Sequence, residues 1–259
     1  MASFSFDGAV AVVTGGAGGI GQALAGGLTA AGARVAVVDL EGDAAKEAAS
    51  RLDGAIGVPA DVGDPAAVTA MVEEVERRLG PIDIYCSNAG VASGGGLGHD
   101  DAWERSWRVH GMAHVYAARA VVPGMVARGS GAMVVTASAA GLLMMMQSAP
   151  YTATKHASVA IAEWLAVNYG GAGVQFHCLC PQGVRTRMVS SDPKGESEVA
   201  ASGLILAPEE VADSVLEAVR QNRFLILPHP EVHDYEKQKV DDRDAWLSGM
   251  RRLLGRIRR

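Results

Sequence analysis

The sequence predicts an α/β fold in which a parallel sheet is covered by helices on both faces. Two observations carry this. Apolar runs of strand length alternate with longer amphipathic segments along the 259 residues. The runs are continuously apolar rather than alternating, as strands buried on both faces are. Composition agrees. Apolar residues make up 49%, enough for a large core, while 32 glycines and only 5% aromatics suit close packing of helices on a sheet.

The elements follow in order. Residues 9–14 (AVAVVT) read as a buried strand and 20–31 as a helix. A strand at 34–38, a helix at about 43–52, a short strand at 55–59 and a helix at 64–79 come next. Then come a strand at 82–86, a long helical stretch at about 101–128 and a strand at 132–136. Pro150 opens a helix that runs to about 169, followed by a strand at 173–179. After a loop-rich stretch to about 206, a helix at 208–221 and a strand at 224–227 complete the repeat. No composition break marks a second domain, so residues 1–259 are expected to form a single domain. The tail, residues 229–259, extends beyond the repeat. Trp246, Leu247, Met250, Leu253, Leu254 and Ile257 have helical spacing there, and such a face must pack on its own domain, a partner subunit or a ligand.

The net charge of −6 gives no electrostatic reason to expect nucleic acid as a partner. The basic end RRLLGRIRR reads as a solvated helix end or a subunit contact. Cys86, Cys178 and Cys180 do not form a disulfide framework. Cys178 and Cys180 alternate within a strand and share a face, which suits buried thiols in a reducing compartment. No basic, apolar leader precedes the first strand, and the apolar stretch 131–146 is too short to span a bilayer. A cytoplasmic protein with no membrane insertion is expected.

Chemistry-bearing residues cluster at strand ends. The first strand runs into Thr14-Gly15-Gly16-Ala17-Gly18-Gly19-Ile20-Gly21 and then a helix. Glycines there let backbone N–H groups approach a pyrophosphate, and the helix N-terminus adds a favourable partial charge. Asp39 ends the second strand 18 positions after Gly21, near the spacing of an acid that accepts from ribose hydroxyls. It would repel a 2′-phosphate, and no Arg or Lys stands at 38–40 to offset it, so NAD(H) is expected over NADP(H). Asp61-Val62 and Asn88-Ala89-Gly90 follow the third and fourth strands, where an open α/β sheet binds its ligand. Tyr151 and Lys155, at i and i+4, share a helix face, and a nearby cation lowers a phenol pKa.

Together these residues resemble the short-chain dehydrogenase/reductase family in its single-domain form. Thr14–Gly21 fits TGxxxGxG, Asn88-Ala89-Gly90 fits NAG, and Tyr151 to Lys155 is YxxxK with Ser138 13 positions before the tyrosine. Pro181-Gln182-Gly183-Val184-Arg185-Thr186 stands where the family has PGxVxT. The resemblance covers about residues 6–228. It implies a Rossmann-type doubly wound three-layer α/β/α sandwich with strand order 3-2-1-4-5-6-7, and a homotetramer or homodimer. It also implies an oxidoreductase interconverting a secondary alcohol and a ketone by hydride transfer. Ser138 would hydrogen-bond the substrate oxygen, Tyr151 would be the acid/base, and Lys155 would bind the nicotinamide ribose and lower the Tyr151 pKa. Gly15, Ala17–Gly21, Asp39, Leu40, Asp61, Val62, Asn88–Gly90, Pro181, Gly183, Val184 and Thr186 would surround the NAD cofactor.

Two departures stand out. His110 takes the position where the family often has Asn, whose backbone carbonyl is thought to hold a relay water. The carbonyl survives the change, or the histidine reshapes the relay. Gln182 replaces the usual Gly, and either faces the substrate or caps a turn. His110 and His114, at i and i+4, would suit a metal, but no third ligand stands near, so no metal is expected. His156 reads as structural, and His229 and His233 as residues of a polar segment. The substrate side falls on residues 91–99, 141–149 and 187–206, the last a polar candidate lid. Leu142, Leu143, Met144, Met145 and Met146 form an adaptable apolar run. They point to a lipophilic substrate (a steroid, a terpenoid, or an acyl or aromatic ring alcohol) or else to core or subunit packing. The alternatives are a 3-oxoacyl-carrier-protein reductase-like enzyme, which Asp39 disfavours, and a dinucleotide-binding sensor without catalysis.

Overall fold

The computed structural model describes residues 4–186 and 204–257. Its elements run β1 (Val10–Thr14), α1 (Gly19–Ala30), β2 (Arg34–Asp39), α2 (Gly42–Ser50), β3 (Ile56–Pro59), α3 (Pro65–Leu79), β4 (Ile84–Ser87), α4 (Asp100–Trp107), α5 (Ala113–Arg128), β5 (Gly131–Thr136), α6 (Ala149–Tyr169), β6 (Val174–Leu179), α7 (Pro208–Arg220), β7 (Leu225–Ile226), α8 (Glu231–Asp241) and α9 (Arg243–Ile257). All strand pairings are parallel, in the order β3-β2-β1-β4-β5-β6-β7. The expected order therefore holds. β1 lies between β2 and β4, so the crevice where the strand order reverses opens at the C-terminal ends of β1 and β4.

The pleat of β1 explains the three layers. Val10 and Val12 face one helix layer, with Val68 of α3, Ala117 of α5 and Ala162 of α6. Ala11 and Val13 face the other, with Leu24 of α1, Ala48 of α2 and Val215 of α7. Each fully buried valine contributes about 1.5–3 kcal/mol relative to exposure. Helix starts are specified locally. Pro65 and Pro150 each stand in a first turn, where a missing N–H costs nothing. The Asp64 carboxylate accepts from Ala66 N–H at 2.9 Å, and the Ser148 hydroxyl from Tyr151 N–H at 3.4 Å.

Two elements depart from the sequence expectation. The stretch read as one helix over 101–128 is interrupted by a π-helical turn at Arg108–Met112. Val109, His110 and Gly111 within it are all buried. The last strand is only two residues long, as an edge strand paired with β6 alone. Of the candidate lid, residues 187–203 lie outside the described residues. Leu206 is described, and exchanges backbone hydrogen bonds with Gly183 and Arg185.

Candidate active site

The glycine turn is closed by contacts that exclude side chains. Gly15 has φ +61°, and a Cβ there would lie 2.9 Å from the Ala89 Cα. A Cβ on Gly21 would meet the Gly15 carbonyl oxygen at 2.1 Å. At Gly18, the N-cap of α1, a Cβ would meet nothing within 4 Å, and no side chain caps the helix. The open space over uncapped N–H groups suits a phosphate anion. The turn is tied to the next strand end through Thr14. Its hydroxyl accepts from Asn88 N–H (2.9 Å) and Ala89 N–H (3.1 Å), and donates to the Cys86 carbonyl. The Asn88 amide donates to the Thr14 carbonyl and accepts from the Thr136 hydroxyl, so one side chain spans the C-terminal ends of β1, β4 and β5.

Asp39 reaches over the glycine turn and accepts from Ala17 N–H at 3.1 Å. Leu40 beside it is 66% exposed. Asp61 divides its carboxylate between Gly63 N–H (2.8 Å) and Arg108 (3.0 Å). That ion pair is exposed and stabilises little. Val62 and Val184 are buried, and Thr186 faces the turn, its methyl 3.0 Å from a Cβ built on Gly19.

Ser138, Tyr151 and Lys155 converge beyond the end of β5. The Ser138 hydroxyl accepts from Ala140 N–H at 3.1 Å and hydrogen-bonds the Tyr151 phenol. Lys155 is 4% exposed, and its ammonium donates to the Thr136 carbonyl at 2.9 Å. It stands 5.8 Å from the Tyr151 ring centroid. Burial pulls the Lys155 pKa down to about 8. Burial pushes the Tyr151 phenol up from its ordinary value, with the Ser138 hydrogen bond partly opposing this. For the protein alone, desolvation outweighs the lowering expected of Lys155. The ammonium is turned to the Thr136 carbonyl, and desolvation wins.

His110 is locked. Its Nε2 accepts from Val91 N–H at 3.1 Å, so the proton sits on Nδ1, which donates to the Thr154 hydroxyl at 3.1 Å. That hydroxyl donates in turn to the Pro150 carbonyl at 2.7 Å. The ring meets the Tyr151 ring edge-on, with centroids 5.5 Å apart. The His110 carbonyl accepts from the Ser158 hydroxyl at 2.6 Å. Sequence reasoning missed Thr154 and Ser158 because a hydroxyl one or two turns along a helix carries no signature of its own. His114 is paired with the Ser87 hydroxyl at 2.7 Å.

Burial, then the Lys155 charge, pulls the His110 pKa down to about 2 and that of His114 to about 3. Both are neutral in the fold, so the unfolded chain binds more protons below pH 6.5. The stability they contribute is full above pH 6.5 and is lost as pH falls towards their folded values. Each adds a slope of about 1.4 kcal/mol per pH unit. Urea unfolding between pH 6 and 4.5 should show this loss, and His110→Asn should remove one histidine's share of the slope. An unchanged slope would refute the assignment.

On the substrate side, Leu142 joins the core, whereas Met144, Met145 and Met146 stay half-buried outside it. Met145 is held by the Thr152 hydroxyl, through its N–H at 2.9 Å and its carbonyl at 3.0 Å. Pro181 and Gly183 are buried, and Gln182 N–H donates to His229 Nδ1 at 3.2 Å. His229, read from sequence as part of a polar segment, is 1% exposed. Cys178 and Cys180 are both buried and share a strand face, their sulfurs 3.7 Å apart.

The chain matches the short chain dehydrogenase family over residues 9–197. It is 36% identical over 246 residues to the 1-deoxy-11-beta-hydroxypentalenate dehydrogenase of Streptomyces exfoliatus, covering 90% of this chain and 87% of that protein. The meso-2,3-butanediol dehydrogenase of Serratia marcescens is 35% identical over 215 residues, covering 80% and 85%. A short chain dehydrogenase/reductase from Burkholderia phymatum, solved in complex with NAD, aligns with a TM-score of 0.85 and 28% identity over 93% of this chain and 96% of that one. The chain belongs to the short chain dehydrogenase family. It is an NAD(P)-dependent oxidoreductase of CH–OH groups that interconverts alcohols and ketones.

Proposed function

We propose that the enzyme uses NAD(H), that Tyr151 exchanges the substrate proton, and that the substrate is a lipophilic secondary alcohol or its ketone. The observation that carries this is the Tyr151 phenol, whose pKa the Ser138 hydroxyl pulls down and whose ring faces the Lys155 ammonium, with the half-buried run Met144–Met146 on the segment between Ser138 and Tyr151. The cofactor's fit rests on the open cradle at Gly18 and on Asp39 over the glycine turn. Gly15 and Ala17–Gly21 would hold its pyrophosphate and Asp39 and Leu40 its adenosine ribose. Asp61, Val62 and Asn88–Gly90 would border the adenine side, and Lys155, Pro181, Gly183, Val184 and Thr186 the nicotinamide side. Bound NAD⁺ would supply the hydride acceptor and a positive ring that opposes the upward pull on the Tyr151 pKa.

The chain's own groups do the rest. Ser138 donates to the substrate oxygen and fixes its distance from Tyr151. The Tyr151 oxygen takes the hydroxyl proton in oxidation and returns one to the carbonyl in reduction. Lys155 stabilises the phenolate by charge. His110, neutral and bonded at both nitrogens, enters as a positioning group for Tyr151 rather than a proton carrier. Any relay past its carbonyl shares that oxygen with Ser158. Exposed Trp107, Trp164 and Val167 on α4 and α6 suit the contact of a homo-oligomer. Among the described residues no helix is long and apolar enough to cross a membrane.

The test is a panel of ring alcohols and small polyols with NAD⁺ and NADP⁺, followed by absorbance of the reduced nicotinamide. Lipophilic alcohols with NAD⁺ should lead in kcat/KM by about tenfold or more. Faster oxidation of polyols would overturn the substrate class, and a preference for NADP⁺ the cofactor.

A further inference from the structure

We propose that the tail from His229 to Lys239 is a two-point clamp that positions both walls of the alcohol site, which makes His229 and Lys239 positioning residues for substrate specificity. The substrate part rests on the function proposed above. The clamp itself rests on two buried side chains at opposite ends of α8, each committed to a different wall.

The first point is Lys239, in the last turn of α8 and 8% exposed. Its ammonium donates to the carbonyls of Leu142 and Leu143 and reaches His156 Nε2 at 3.3 Å. Its Nζ stands over the Trp246 ring of α9, 5.4 Å from the centroid. Among the described residues no carboxylate shares these contacts, so carbonyl oxygens carry much of the solvation of the ammonium, and each such bond is strong. His156 is oriented to receive it. Its Nδ1 donates to the Thr152 carbonyl at 2.9 Å, which leaves Nε2 as the acceptor. Thr152 also holds Met145. The segment that leaves Ser138 is thus gripped by Lys239 just before the methionine run and by Thr152 within it.

The second point is His229, two residues before α8. Its Nδ1 accepts from Gln182 N–H, and its Nε2 donates to the carbonyls of Gly183 and Leu204, both at 3.1 Å. One imidazole therefore joins the loop after β6 to Leu204, two residues before Leu206 pairs with Val184 of that loop. Between the two points α8 runs as helix from Glu231 to Lys239, roughly 13 Å at 1.5 Å per residue. Val232, fully buried, fixes the helix to the core. Lys239 touches none of Ser138, Tyr151 and Lys155, so a displacement at its end would shift a wall and leave their contacts in place, whereas the loop that His229 holds meets Ser138, whose hydroxyl donates to the Pro181 carbonyl at 3.4 Å.

Hydrogen exchange read on peptides covering 139–147 and 181–186 tests the clamp without needing turnover. Lys239→Met keeps a long unbranched side chain and removes the donor. It should speed exchange in 139–147 by about tenfold or more and leave 181–186 unchanged, and Lys239→Arg should restore much of the protection. His229→Leu should do the converse, with His229→Gln rescuing in part. In kinetics, Lys239→Met should raise KM for a bulky ring alcohol about tenfold, with kcat and NADH affinity near the parent values. Exchange unchanged in both segments, or raised equally across the whole chain, would overturn the clamp. So would a kcat loss shared equally by large and small alcohols. Absence of any alcohol turnover by the parent enzyme would sink the proposed function instead, and the exchange data would still decide the clamp.

Discussion

Tyr151→Phe should lower kcat by about 10³-fold, within the 10²–10⁴ range of a lost general acid/base. NADH should bind as tightly as to the parent chain. The substitution removes one oxygen from a site whose other contacts do not depend on it. The Ser138 hydroxyl keeps its bond from Ala140 N–H, and the Lys155 ammonium its carbonyl at Thr136. The ring edge still meets His110. Activity and binding therefore separate cleanly, with initial rates reporting one and NADH fluorescence titration the other. Retention of more than about a tenth of kcat would remove Tyr151 from the proton step. A fall in NADH affinity of the same size would mean the phenol serves binding instead. A dinucleotide sensor would show no turnover for the substitution to remove.

How far this site can be read from the chain depends on the distance over which its parts are specified. The glycine turn and the Tyr151–Lys155 pair are local, because both lie within one turn or one helix face, and sequence spacing fixes them. The strand order was legible only through resemblance, since nothing in an apolar run states which neighbour it pairs with. Contacts made across elements were not legible. His229 and Lys239 belong to a polar tail by composition, yet both are buried because the elements they meet offer carbonyls in the right places. Ser158 looks like any small helical residue until the π turn brings the His110 carbonyl to it. The Tyr151 pKa shows the same division. Spacing named the cation that could lower it, but the outcome turned on burial and on where that cation's hydrogen bond went.

Asp39→Ala should lower kcat/KM for NAD⁺ by about 10- to 100-fold, the equivalent of losing charge-assisted hydrogen bonds worth about 1.5–3 kcal/mol. NADP⁺ should suffer less or improve, because the carboxylate that repels a 2′-phosphate is gone. The complication is that Asp39 also braces the glycine turn by accepting from Ala17 N–H. A loss of NAD⁺ activity alone could then reflect a loosened turn. Asp39→Asn separates the two effects. Its amide oxygen can still accept from Ala17, but its charge is gone and its ribose bonds are weaker. If discrimination comes from charge, Asn should narrow the NAD⁺/NADP⁺ ratio nearly as much as Ala while melting like the parent protein. If Asp39 acts only as a brace, Asn should leave the ratio unchanged, and Ala should lower the melting temperature and both cofactors' kcat/KM together. Leu40, exposed beside it, extends the test. Adding Leu40→Arg to Asp39→Ala supplies the cation that positions 38–40 lack, and should carry the preference over to NADP⁺.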